Sequence, residues 1–145
     1  MCEAAELVRP FFVNADKEYL LVCCLDNIGH SVSVEVVAIG IVDSCLVGIG
    51  EVFKNAILSN AYAILLYHNH PSGDLKPSRD DILVTDRVMK AGELVGIPLV
   101  DHIIVGDADG NGIIDANGTI DANDALLVLK KAAKLIEKFP AEKEA

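Results

Sequence analysis

Two histidines, a serine and an aspartate fall within HNHPSGDLKPSRDD, His68 to Asp81, at a spacing that suits hydrolytic metal chemistry. His68 closes the apolar run AYAILLYH, which reads as a buried strand. Residues two apart on extended chain point to one side, so His68 and His70 can reach the same ion. Pro71, Gly73 and Pro77 then break the strand, and Ser78 opens the amphipathic run SRDDILVTDRVMKAGELVG. A helix starting against the end of the strand brings Asp81, one turn inside it, back toward the histidines. Two nitrogens and one carboxylate oxygen suit zinc with a position left open for water, the arrangement of catalytic rather than closed sites.

A zinc-activated water attacking a carbonyl must lose a proton that the departing amine later needs. Glu51 is the candidate base. It stands near the start of a second amphipathic segment, GEVFKNAILSN, where the helix dipole favours its anion. Ser78 is the candidate donor to the developing oxyanion. Each residue also has a plainer reading. Ser78 and Asp81 form the S-x-x-D pattern of a helix capping box, the histidines could be a polar strand end, and Glu51 could be a favourable first-turn charge. The joint spacing favours the metal site. His102, inside LVDHIIVG, reads as a satisfied core residue or a support for the site, and His30, after DNIG, as surface.

The succession of an upstream glutamate, H-x-H, seven residues, S, two residues and D resembles the JAMM, or MPN-plus, metallopeptidases. Glu51, His68, His70, Ser78 and Asp81 match it position by position. Within that superfamily EVFKNAILSNA, HNHPSGD, PSRDD and AGELVGIPLVDHIIVGD are similar to bacterial RadC proteins, over roughly residues 9–106. The resemblance implies an α/β fold of JAMM/MPN type (cytidine-deaminase-like), a mixed-sheet sandwich with flanking helices. It implies a zinc-dependent metallohydrolase cleaving an amide or isopeptide bond, with zinc on His68, His70 and Asp81. The alternative it allows is a noncatalytic zinc-binding module associated with DNA repair or recombination complexes. In many RadC proteins an arginine precedes the glutamate, where this chain has Gly50, and an amino-terminal helical domain precedes the module, where a dozen residues stand here.

The elements that must position these residues follow in order: strands at 18–26 and 31–39, a helix at about 49–59, a strand at 62–68, a helix at 78–95 and a strand at 98–105. A hairpin followed by interleaved helices gives an α/β sandwich with a mixed sheet. At 145 residues and 52% hydrophobic the chain can bury a core, and its apolar runs are of strand length, too short for a membrane span. No secretion signal is read in MCEAAELVRPFF, and four cysteines without C-x-x-C spacing suit a reducing compartment, so a cytoplasmic location is expected. The partner expected is a peptide or protein substrate. With 22 acidic and 12 basic residues, net −10, direct binding to a phosphate backbone is not expected. A metal-dependent nuclease is disfavoured too, since two-metal sites favour several carboxylates.

From residue 107 the sequence changes character. DADGNG sets Asp107, Asp109 and Asn111 at alternating positions with Gly112 sixth, as in a calcium loop. Ile113 and Asp115 would be seventh and ninth, but the twelfth residue is Gly118. IIDANG at 113–118 is echoed by TIDAND at 119–124, and without the first copy DADGNGTIDAND would be a full loop ending at Asp124. With the helical run ALLVLKKAAKLIEKF this resembles one repeat of a dockerin, the calcium-dependent cohesin-binding module. A single interrupted repeat implies weak Ca2+ binding and no expectation of a cohesin partner. The plainer reading is an acidic turn joining residues 1–106 to a terminal helix.

Overall fold

A computed structural model of the chain describes residues 3–40, 46–105 and 113–114. Among these residues three helices and a mixed sheet form the α/β architecture expected: α1 (Glu3–Phe12), β1 (Glu18–Leu25), β2 (Ser31–Gly40), α2 (Ile49–Leu58), β3 (Ala63–Asn69), α3 (Arg79–Val95), β4 (Leu99–Val105) and β5 (Ile113–Ile114). The order across the sheet is β2-β1-β3-β4-β5. β1 pairs antiparallel with β2 and β3, β3 runs parallel to β4, and β5 returns antiparallel to β4. A parallel neighbour requires a crossover, and α3 supplies it.

β1 (EYLLVCCL) and β3 (AILLYHN) are nearly continuous in apolar residues because helices cover both faces of the sheet. Alternate residues go opposite ways. Leu20, Val22, Cys24, Ile64 and Leu66 pack with Val52, Phe53 and Ala56 of α2 and Val84 and Val88 of α3. Leu21, Cys23, Leu25, Leu65 and Tyr67 pack with Val8 and Phe12 of α1. Cys23 and Cys24 are buried, free thiols on opposite faces, as the sequence implied; Cys2 and Cys45 lie outside the described residues. The β1–β2 turn is tied by Asp26, whose Oδ1 accepts the N–H groups of Ile28 (3.0 Å) and His30 (2.8 Å), with Gly29 at φ 85°.

α1 was not anticipated. Pro10 stands inside it and masks the pattern, yet Val8 and Phe12, one turn apart, close the sheet face opposite α2 and α3. α3 opens at its N-cap Ser78 and stops at Gly96, a left-handed C-cap at φ 77°. Its buried stripe is Asp81, Val84, Val88 and Gly92, so an acid occupies the first core-facing position. Gly92 lets α3 lie tight against the chain entering β4, since a Cβ there would meet the Ile97 carbonyl oxygen at 2.6 Å.

One irregularity positions a site residue. Ile64 faces Leu99 but Leu65 faces Asp101, so Val100 is an extra residue in β4. Beyond it the alternation is reset: Ile103 joins the α1 side, and His102 and Ile104, opposite Leu66 and His68, face α3. β5 carries the sheet past residue 106, with Ile113 opposite Val105 and Ile114 opposite Ile104. Among the described residues no helix is long and apolar enough to cross a membrane.

Candidate metal centre

His68 lies on the α3 face of β3, the central buried strand, and is itself fully buried. The loop after it turns at Gly73 (φ 76°), whose N–H donates to the His70 carbonyl (2.9 Å). Asp74 then presents its main-chain oxygen to His70 Nδ1 at 2.6 Å, which fixes the second imidazole. Lys76 N–H donates to Asp74 Oδ1 (3.0 Å) and tightens the loop. Ser78 starts α3, and Asp81 arrives on its inward side.

The ligand atoms converge. His68 Nε2 and His70 Nε2 are 2.9 Å apart, His68 Nε2 is 3.1 Å from Asp81 Oδ1, and His70 Nε2 is 3.2 Å from Asp81 Oδ2. Among the described residues these three form the one His/Cys/Asp/Glu group arranged to hold a metal ion.

Hydrogen bonding dictates where the protons are. A carbonyl oxygen can only accept, so Thr85 Oγ1, 2.7 Å from the Asp81 carbonyl, donates its one proton there. Its contact with His102 Nδ1 at 2.7 Å must then be donated by the ring. That leaves His102 Nε2 as an acceptor, and His68 Nδ1, 2.8 Å away, as the donor to it. In the neutral ring His68 Nε2 is therefore a bare lone pair. The Asp74 carbonyl requires a proton on His70 Nδ1, so in the neutral ring His70 Nε2 is bare as well. With both rings neutral, two lone pairs and a carboxylate face one another, and a proton or a metal cation held among them relieves that repulsion. The spacings of 2.9–3.2 Å sit just inside the edge of about 3.3 Å that tetrahedral bonds of about 2.0–2.1 Å require. The donor set fits zinc.

Burial alone would raise the Asp81 pKa, but the His68 ring and the donors from Ser78 outweigh it and hold the carboxyl well below its usual range. Burial, with the neighbouring His68 ring next, pushes His102 from the ordinary 6.5 down to about 3, keeping it neutral.

Of the five residues singled out by sequence, the structure brings four together. Ser78 is both N-cap and neighbour: its Oγ accepts the Asp81 N–H (3.1 Å), while Asp81 Oδ2 accepts the Ser78 N–H (2.6 Å). The capping box and the ligand set are one structure. Glu51 stands exposed in the first turn of α2, beside an N-cap, Gly48, that offers no side chain, and it makes no hydrogen bond or ion pair with the other four. His102 supports the site and His30 is exposed, both as expected. Thr85 was missed; its signal is its place four residues after Asp81, where a threonine hydroxyl reaches the i−4 carbonyl. A cavity of about 270 Å³ reaches His68 and Asp81 and is walled by Pro77, Ile82, Met89 and Ile104. Of the candidate calcium ligands, Ile113 has its backbone in β5; Asp107, Asp109, Asn111, Asp115 and Asp124, with the terminal helical run, lie outside the described residues.

The family described as RadC-like JAB domain matches residues 1–114. A UPF0758 protein of Methanosarcina barkeri is 41% identical over 101 residues, 70% of this chain and 44% of the relative. Those of Desulforudis audaxviator and Clostridium tetani are 46% and 43% identical over 105 residues, 72% of this chain and 46% of each relative. The chain thus spans less than half the length of these relatives.

Proposed function

The chain belongs to the RadC-like JAB domain family, and on that premise we propose that it is a zinc-dependent metallohydrolase cleaving an amide or isopeptide bond of a peptide or protein. The observation that supports this reading is the convergence of His68 Nε2, His70 Nε2 and the Asp81 carboxylate within 2.9–3.2 Å of one another. These residues would hold zinc, which when bound supplies Lewis acidity toward a carbonyl oxygen and toward water. Glu51 takes a proton from the attacking water on its carboxylate and returns it to the departing amine. Its exposure leaves the carboxylate free for that exchange. Ser78 keeps its single hydroxyl proton after accepting the Asp81 N–H, and donates it to the carbonyl oxygen as negative charge develops. Buried free thiols at Cys23 and Cys24 fit a reducing, cytoplasmic setting.

A noncatalytic metal-stabilised module is the second reading, favoured by one observation. The His68, Asp81 and His70 side chains are only 0%, 5% and 10% exposed, and Glu51 makes no hydrogen bond or ion pair with them. Association with DNA-processing complexes would be the role of such a module.

Two measurements separate the readings. Protein purified without added zinc is expected to carry about one zinc per chain, lost in His68→Ala/His70→Ala. Glu51→Gln is expected to keep the zinc and lose turnover of a cleavable peptide or isopeptide by about 10²–10⁴-fold. Full turnover by Glu51→Gln would remove the assigned base, and absence of zinc from the wild type would remove the whole reading.

A further inference from the structure

We propose that His102 and Thr85 are positioning residues of the metal centre, which lock His68 into the one tautomer that can bind an ion. The proposal rests on the metal-binding reading above. Its basis is a closed circuit. Asp81 contributes its carboxylate to the ligand cluster and its main-chain carbonyl to Thr85 (2.7 Å). Thr85 Oγ1 accepts from His102 Nδ1 (2.7 Å), His102 Nε2 accepts from His68 Nδ1 (2.8 Å), and His68 Nε2 returns to Asp81 Oδ1 (3.1 Å).

Every member is sheltered: His68, Asp81 and His102 are buried and Thr85 is partly so. The proton sense of the circuit is fixed at Thr85, whose hydroxyl is committed to a carbonyl that cannot donate. If that acceptor for His102 Nδ1–H is lost, His102 gains by carrying its proton on Nε2 and donating it to His68 Nδ1. His68 must then hold its own proton on Nε2, the atom that faces His70 and Asp81. That tautomer cannot ligate, so each ion bound has to reverse both rings at once. The extra residue Val100 is what brings His102 to this face.

Thr85→Val keeps the shape and removes the hydroxyl; Thr85→Ser keeps the hydroxyl. In competition with a chromophoric chelator, zinc affinity is expected to fall about 10- to 100-fold in Thr85→Val and to stay within about threefold of wild type in Thr85→Ser. Long-range ¹⁵N–¹H correlation of the zinc-free protein at pH 8 should place the His68 proton on Nδ1 in wild type and Thr85→Ser, and shift it toward Nε2 in Thr85→Val. Unchanged zinc affinity in a folded Thr85→Val would overturn the relay, as would a proton that stays on Nδ1 there. If the wild type itself bound no zinc, the metal reading would fail while the tautomer measurement still decided the relay.

Discussion

Asp81 concentrates several tasks in one side chain. One oxygen accepts the Ser78 N–H and meets His70, the other faces His68, and the backbone carbonyl takes the Thr85 hydroxyl. The sequence offers the cap and the ligand as competing readings of S-x-x-D, and a carboxylate, having two oxygens, satisfies both. Ser78 can therefore be tested as a cap apart from any role toward substrate. Ser78→Ala leaves the Asp81 N–H without its acceptor and is expected to cost about 1 kcal/mol in urea unfolding of the zinc-free protein, with Ser78→Thr recovering most of it. A loss below a few tenths of a kcal/mol would mean that the capping bond contributes nothing measurable.

Helix α3 and strand β4 show how elements aim such residues. Gly92 brings the last turns of α3 against the chain at Ile97–Leu99, the stretch that leads into the Val100 irregularity. Gly92→Ala gains helix propensity, yet its methyl would meet the Ile97 oxygen at 2.6 Å, which is backbone and cannot swing aside. The clash should win, with a net loss of about 1–3 kcal/mol seen as a lower melting temperature; a stabilised variant would show that the contact relaxes freely. Much of this architecture was legible. AYAILLYH reads directly as a strand buried on both faces, and the Pro/Gly loop, the capping serine and the amphipathic run after it delimit α3 to within a residue. Two things were hidden. Pro10 conceals α1, and the extra residue in β4 defeats two-residue counting, which from Leu99 would send His102 to the α1 face. The His68–His102 contact depends on pairing between strands far apart in sequence, which no local pattern encodes.

For the whole molecule the same buried cluster makes stability depend on acidity. His102 is neutral in the fold, with its pKa moved from 6.5 to about 3, so the unfolded chain binds the extra proton first. Its contribution is complete above about pH 6.5 and declines as pH falls toward about 3, by at most about 1.4 kcal/mol per unit from this one group. Asp81, held below its ordinary range, acts in the same sense at lower pH: its share is present above the usual carboxylate pKa and lost as pH falls further. Urea unfolding of zinc-free protein at pH 7 and pH 5 should show the decline, and His102→Gln should flatten it; identical slopes would remove His102 as its source. The complete burial of His68 has a further consequence, in time rather than in energy. An ion held there is reached only through the cavity that opens onto His68 and Asp81, past Pro77, Ile82 and Met89. Extraction by a chelator would then proceed at a rate set by the width of that passage, faster for a small chelator than for a bulky one of equal affinity.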